Sequence, residues 1–157
     1  RTNYILIACA LIVMGVIIYL VDKKSKEEKN TKEISFKDAI LIGCSQVFAL
    51  IPGFSRSGTT IACARALKVD RESSAKFSFY LSAPVVLGAA TLQLLDSGTI
   101  SLIIDNAFIF ILGIVISFVT GLICIKFLLQ YLRGHDFKLF MIYRIILALI
   151  VIITVIL

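Results

Sequence analysis

The sequence predicts an all-α polytopic membrane protein: about four transmembrane helices plus one re-entrant helix–loop–helix. Three observations carry this expectation. Hydrophobic residues make up 59% of the 157 positions, with a mean hydropathy of +1.00, more than a soluble core of this length uses. The apolar residues fall in runs long enough to cross a bilayer. The net charge of +6, from 16 Lys and Arg against 10 Asp and Glu, comes from basic residues gathered in the loops between those runs. That is the pattern of orientation signals and anionic-lipid contact, and it argues for a bilayer and against nucleic acid as the partner.

Residues 3–21 form the first span, about 28 Å of helix, with Tyr4 and Tyr19 near its ends as interfacial aromatics. No basic start with a short apolar core and a cleavage site precedes it, so no signal peptide is expected, and the start at Arg1 suggests part of a longer chain. Residues 22–35, dense in Lys and Glu, read as a solvated cytoplasmic loop without chemistry. Residues 36–67 are expected to enter and leave by the same face. An apolar helix from Phe36 to Ile51 is stopped by Pro52-Gly53, and a second, half-length helix runs from Ser57 or Gly58 to Leu67. Asp70 is a good N-cap for the span at 71–95, in which Ser74, Ser78 and Ser82 share a face and Pro84 should kink the helix. Asp96 to Asn106 reads as a turn and an outside connection, free of Lys and Arg. The span at 107–132 carries Gly113, Ser117 and Gly121 at four-residue intervals, a close-packing pattern. The stretch from Arg133 to Lys138 is basic and inside, and 138–157 spans again, with Arg144 either snorkelling to the headgroups or turned inward as a second cation. A single half-span hairpin rarely makes a sealed site, so the chain is expected to be half of an inverted-repeat architecture.

The tip of the hairpin, Pro52-Gly53-Phe54-Ser55-Arg56-Ser57-Gly58-Thr59-Thr60, carries the chemistry. A loop with a cation at membrane depth persists only where it is buried in protein or lines a cavity. Arg56 offers a planar fork for two oxygens of a phosphate, and Ser55, Ser57, Thr59 and Thr60 offer hydroxyls. Gly53 and Gly58 let backbone approach, and Gly58 is expected to open a helix whose free N–H groups face the anion. Gln46, Ser78 and Arg144 are candidates for a surrounding shell. Two phosphate motifs fail: the Walker loop needs Lys where Thr59 stands, and phosphatidate-type phosphatases need His where Ala62 stands. Four scattered cysteines and one histidine, His135, give no metal-ligand spacing, so no metal site is expected in this chain.

The tip resembles the PGxSRSGxT motif of the bacterial undecaprenyl-diphosphatase (bacitracin-resistance) family. The flanks agree: Gly43 to Leu50 before it, Lys76 to Leu81 with Ala83-Pro84 after it, and Tyr143-Arg144 near the end. The resemblance covers about the second half of that family. Its other motif, a glutamate-rich helix followed by a Ser-Ser-Thr-Gly-His loop, has no counterpart here. The resemblance implies hydrolysis of undecaprenyl diphosphate to the monophosphate and inorganic phosphate, recycling the lipid carrier in the bacterial plasma membrane and giving bacitracin resistance. It implies a divalent cation, Mg or Ca, with ligands largely outside this chain, and a partner in the absent N-terminal half or a second copy. Arg56, Ser55 and Ser57 are the implied catalytic residues, with a serine or a metal-activated water as nucleophile. This chain alone is expected to be inactive. A polyprenyl-phosphate carrier or flippase, binding the head group without hydrolysis, is the rival reading.

Overall fold

The structure is a computed structural model that describes residues 4–156; Asn3 and Leu157, the expected outer ends of the first and last spans, lie outside the described residues. It is helical throughout: α1 (Tyr4–Lys24), α2 (Phe36–Cys44), α3 (Arg56–Ala66), α4 (Arg71–Leu94), α5 (Ser97–Asp105), α6 (Ala107–Leu132) and α7 (Lys138–Ile156). By length and composition, α1, α4, α6 and α7 can each cross a membrane.

Three elements differ from expectation. The apolar stretch after Phe36 is α-helical only to Cys44 and continues as a 3-10 helix over Ser45–Leu50. Ser45 tightens that turn by donating its hydroxyl to the Ile42 carbonyl at 2.6 Å, an alternative to the α-helical ladder. The connection before Asn106 is not a simple turn but the helix α5, because Ile100, Leu102, Ile103 and Ile104 outweigh the turn residues that precede them.

The third difference lies in the polar loop after α1, which is bound to the protein. Asp22 is buried and accepts from Arg65 Nε at 2.7 Å and from Arg71 Nε at 2.9 and 3.0 Å. Arg65 is also fully buried; its remaining donors reach the carbonyls of Val69, Asp22 and Ser25. Glu27 closes the network on Arg71 at 3.2 Å. Further along, the amides of Glu28 and Lys29 both donate to the Lys68 carbonyl, and Asp70 N–H returns a bond to Lys29. Lys68 stands at φ +67°, the left-handed position of a Schellman ending: Lys68 N–H bonds Arg65 and Val69 N–H bonds Ala64. Its ammonium pairs with Glu28 at 2.8 Å, and that hydrogen bond holds the Glu28 carboxyl below the usual glutamate range.

Helix α3 lies between α1 and α4, and α1 also packs along α7. A Cβ on Gly53 would meet Ile7 and Ala10, one on Gly58 would meet Met14, and Arg65 bonds Asp22, so α1 and α3 run parallel in register. Met14, Ile18, Ile61, Ala62, Ala75, Leu132 and Phe137 form the buried cluster under the tip. Most of α6 is bare apolar surface, as lipid contact requires, and the Cβ positions of Gly113 and Gly121 meet nothing.

Candidate functional site

The site is built on the first turn of α3. Ser55 is the N-cap: its backbone is extended (φ −82°, ψ 127°), and its hydroxyl accepts from Gly58 N–H at 3.1 Å. Gly58 therefore does not offer a free N–H. The helix opens two residues earlier than Gly58, and the amides of Arg56 and Ser57 are the ones with no acceptor among the described residues. They sit at the positive end of the α3 dipole.

Two cavities meet at this turn. The first, about 290 Å³, is lined by Gln46, Arg56, Ser57, Thr60, Ser78, Phe79 and Ser82. The second, about 170 Å³, is reached by Ser55, Ser57, Gly58 and Arg144, with Ile61, Phe79 and Phe137 among its apolar walls. Ser57 lines both, is exposed, and its hydroxyl lies 3.2 Å from that of Ser55. Arg56 makes no side-chain hydrogen bond or ion pair to a described residue, so its whole guanidinium fork is available. Arg144 Nη1 is buried without a partner. No carboxylate lines either cavity. The arrangement presents two cations, two free amides and a hydroxyl in a cleft without counter-charge, which suits a polyanionic ligand.

The other hydroxyls serve the backbone. Thr60 donates toward the Arg56 and Ser57 carbonyls at 3.2 and 3.0 Å, which leaves Ser78 to donate to Thr60 across 2.7 Å. Ser82 caps the Phe79 carbonyl at 2.7 Å while lining the cavity, and Ser74, fully buried, bonds Val69.

Two of the residues expected at the phosphate lie outside both cavities. Thr59 is buried on the other side of α3; its hydroxyl bonds the Arg56 carbonyl at 2.8 Å, because at this helical position it faces α1 and the 3-10 helix. Gly53 has φ +94°, and a Cβ there would come within 2.7 Å of the Ile7 carbonyl, so its role is close approach to α1. Gln46, Ser78 and Arg144 do reach the cavities. Sequence reasoning missed Gly15, whose absent side chain admits Arg144: a Cβ there would lie 3.3 Å from Arg144 Cβ. A glycine midway along a span was the available signal.

The family model described as bacitracin resistance protein BacA matches residues 1–150. This chain belongs to that family. Among curated proteins, it is 46% identical over 149 residues to an undecaprenyl-diphosphatase of Pelotomaculum thermopropionicum, covering 95% of this chain and 55% of that protein. The undecaprenyl-diphosphatase of Desulforudis audaxviator is 43% identical over 155 residues, covering 98% and 57%. Undecaprenyl-diphosphatase 1 of Clostridioides difficile is 41% identical over 151 residues, covering 95% and 55%. The chain thus spans a little over half the length of these BacA relatives. It is a multi-pass membrane protein of a bacterial membrane family.

A divalent cation does not fit the residues present. Among the described residues no group of three or more His, Cys, Asp or Glu comes together, and the cavities offer cations and hydroxyls where a hard metal wants several oxygen ligands.

Proposed function

We propose that this chain is the phosphate-binding part of an undecaprenyl-diphosphate phosphatase, which hydrolyses the lipid diphosphate to the monophosphate and inorganic phosphate and so recycles a cell-wall lipid carrier. The observation that carries it is Arg56, unpaired beside free helix-opening amides in a cavity without a carboxylate, on the turn that bears the PGxSRSGxT residues. The guanidinium fork takes two phosphoryl oxygens, and the Arg56 and Ser57 amides stabilise charge that grows on the transferred group. Ser57, exposed between the cavities, contacts a phosphate oxygen; Ser55, committed as the N-cap, fixes the turn and is the second hydroxyl within reach. Either serine or a water is the nucleophile in this reading.

The polyprenyl tail lies in the bilayer against the bare apolar helices. Acid–base groups and any divalent cation, Mg or Ca, are supplied from outside this chain, by an upstream half or a second copy, since the chain spans only about half of its relatives and its cavities lack carboxylates. On this reading the isolated chain binds phosphate weakly and does not turn over.

The test is inorganic phosphate release from a polyprenyl diphosphate in detergent with Mg²⁺ or Ca²⁺. It is run on this chain, on the chain joined to an upstream half from its genomic neighbourhood, and on the joined form with Arg56→Ala. Release only from the joined form, lost with Arg56, supports the phosphatase. Head-group exchange across vesicles without release points to the carrier. Release from this chain alone refutes the assignment of the acid–base groups elsewhere.

A further inference from the structure

We propose that Arg144 is a second phosphate ligand, and that with Arg56 it makes the site selective for a head group of two linked phosphates over a single phosphate. The proposal rests on the reading that a phosphorylated head group occupies this turn, and it assigns the two ends of that group.

Arg144 Nη1 is buried with no hydrogen-bond partner, and its guanidinium makes no ion pair with a described residue. A cation held in an apolar bundle without a counter-charge is expensive, and an anion arriving there removes the expense. The anion has a defined place. Arg144 faces the cavity that contains Ser55, Ser57 and Gly58, while Arg56 faces the cavity on the other side of Ser57 and Phe79. The two cations therefore flank one exposed serine from two sides of a shared wall. A lone phosphate engages one of them; two phosphates joined by a bridging oxygen engage both.

The cavity walls give the orientation. Around Arg144 they are apolar, with Ile61, Leu128, Leu132 and Phe140. Around Arg56 they are polar, with Gln46, Thr60, Ser78 and Ser82. The phosphate esterified to the lipid carbon belongs with Arg144, and the terminal phosphate belongs with Arg56.

A single turn of α1 sets this spacing. Gly15 admits Arg144, with 3.3 and 3.4 Å from its would-be Cβ to Arg144 Cβ and Cδ, and its neighbour Met14 would lie 3.4 Å from a Cβ on Gly58. A β-branched side chain at position 15 has to push α7 and its cation away from α3 while leaving both charges in the protein.

The experiment titrates the purified chain in detergent with farnesyl diphosphate and with farnesyl monophosphate by calorimetry. The wild type is expected to bind the diphosphate about tenfold or more tightly, the scale of one charge-assisted contact. Arg144→Gln and Gly15→Val are each expected to bring the two affinities to within about twofold of each other, the one by removing the cation and the other by displacing it. Arg144→Lys, which keeps the charge and guards against a misfolded Gln variant, is expected to retain part of the preference. Arg56→Gln is expected to weaken both ligands. A tenfold preference that survives Arg144→Gln overturns the proposal while leaving the phosphate reading intact. Absence of binding by the wild type, or binding of both ligands unaffected by Arg56→Gln, overturns the phosphate reading and this proposal with it.

Discussion

Asp22→Asn tests the most heavily connected part of the structure. Asp22 is 1% exposed, and its carboxylate accepts from two donors, the Arg65 Nε–H and a single Arg71 Nε–H shared between both oxygens. Asparagine keeps the size but loses the charge and one acceptor oxygen, so each of the two arginines loses its carboxylate partner, about 1.5 kcal/mol per donor. The sum, about 3 kcal/mol, sits at the lower edge of what breaking a buried pair costs. The fully buried Arg65 keeps three carbonyl acceptors, which holds the loss near that edge. For a chain of this size, about 3 kcal/mol corresponds to a fall of about 6–12 °C in the unfolding midpoint. Thermal loss of helical circular dichroism in detergent reads it. Pairing the change with Arg65→Met removes the stranded cation, and the double variant should melt above Asp22→Asn. A fall under about 2 °C, or a double variant no better than the single, would show that the network contributes little and that the Arg65 carbonyl contacts alone fasten α3.

Other perturbations follow the same reasoning. Gly53→Ala places a Cβ 2.7 Å from the Ile7 carbonyl at φ +94°, so it should destabilise by about 1–3 kcal/mol and lower the same melting midpoint. Thr60→Val removes the acceptor for Ser78, which is 4% exposed, and should destabilise by about 1–3 kcal/mol, most of it recovered in Thr60→Val with Ser78→Ala. The lowered Glu28 carboxyl gives a sign for pH. Its pairing with Lys68 is fully present above the unfolded glutamate value of about 4.3 and fades as pH falls through the lower folded value. Glu28→Gln should therefore lower the melting midpoint slightly at neutral pH and converge with the wild type as the pH falls, which flattens the acid limb.

The sequence makes the spans and the tip legible because both depend on neighbours along the chain. Apolar runs announce α1, α4, α6 and α7, Pro52-Gly53 announces the break, and Asp70 is the N-cap of α4, accepting from Ser73 N–H at 2.8 Å. What stays hidden depends on partners far away in the chain. Asp22 looks solvated among lysines, and its burial follows from arginines 43 and 49 residues on. Thr59 and Thr60 look alike in the motif, yet a helix turns one of them away from the cavity. Arg144 reads as either inward or snorkelling until Gly15 shows where α7 comes close.

The Asp22 network also constrains the order in which the protein is made. The carboxylate leaves the ribosome first, and Arg65 follows 43 residues later, about 2–9 s at bacterial elongation rates. During that interval α1 waits at the membrane with an unmatched negative charge at its end. Only the return of the hairpin to the same side delivers the two arginines that neutralise it. A nascent chain whose hairpin emerges on the wrong side leaves that charge without its two arginines, so the pairing favours the same-side return before α6 and α7 are synthesised.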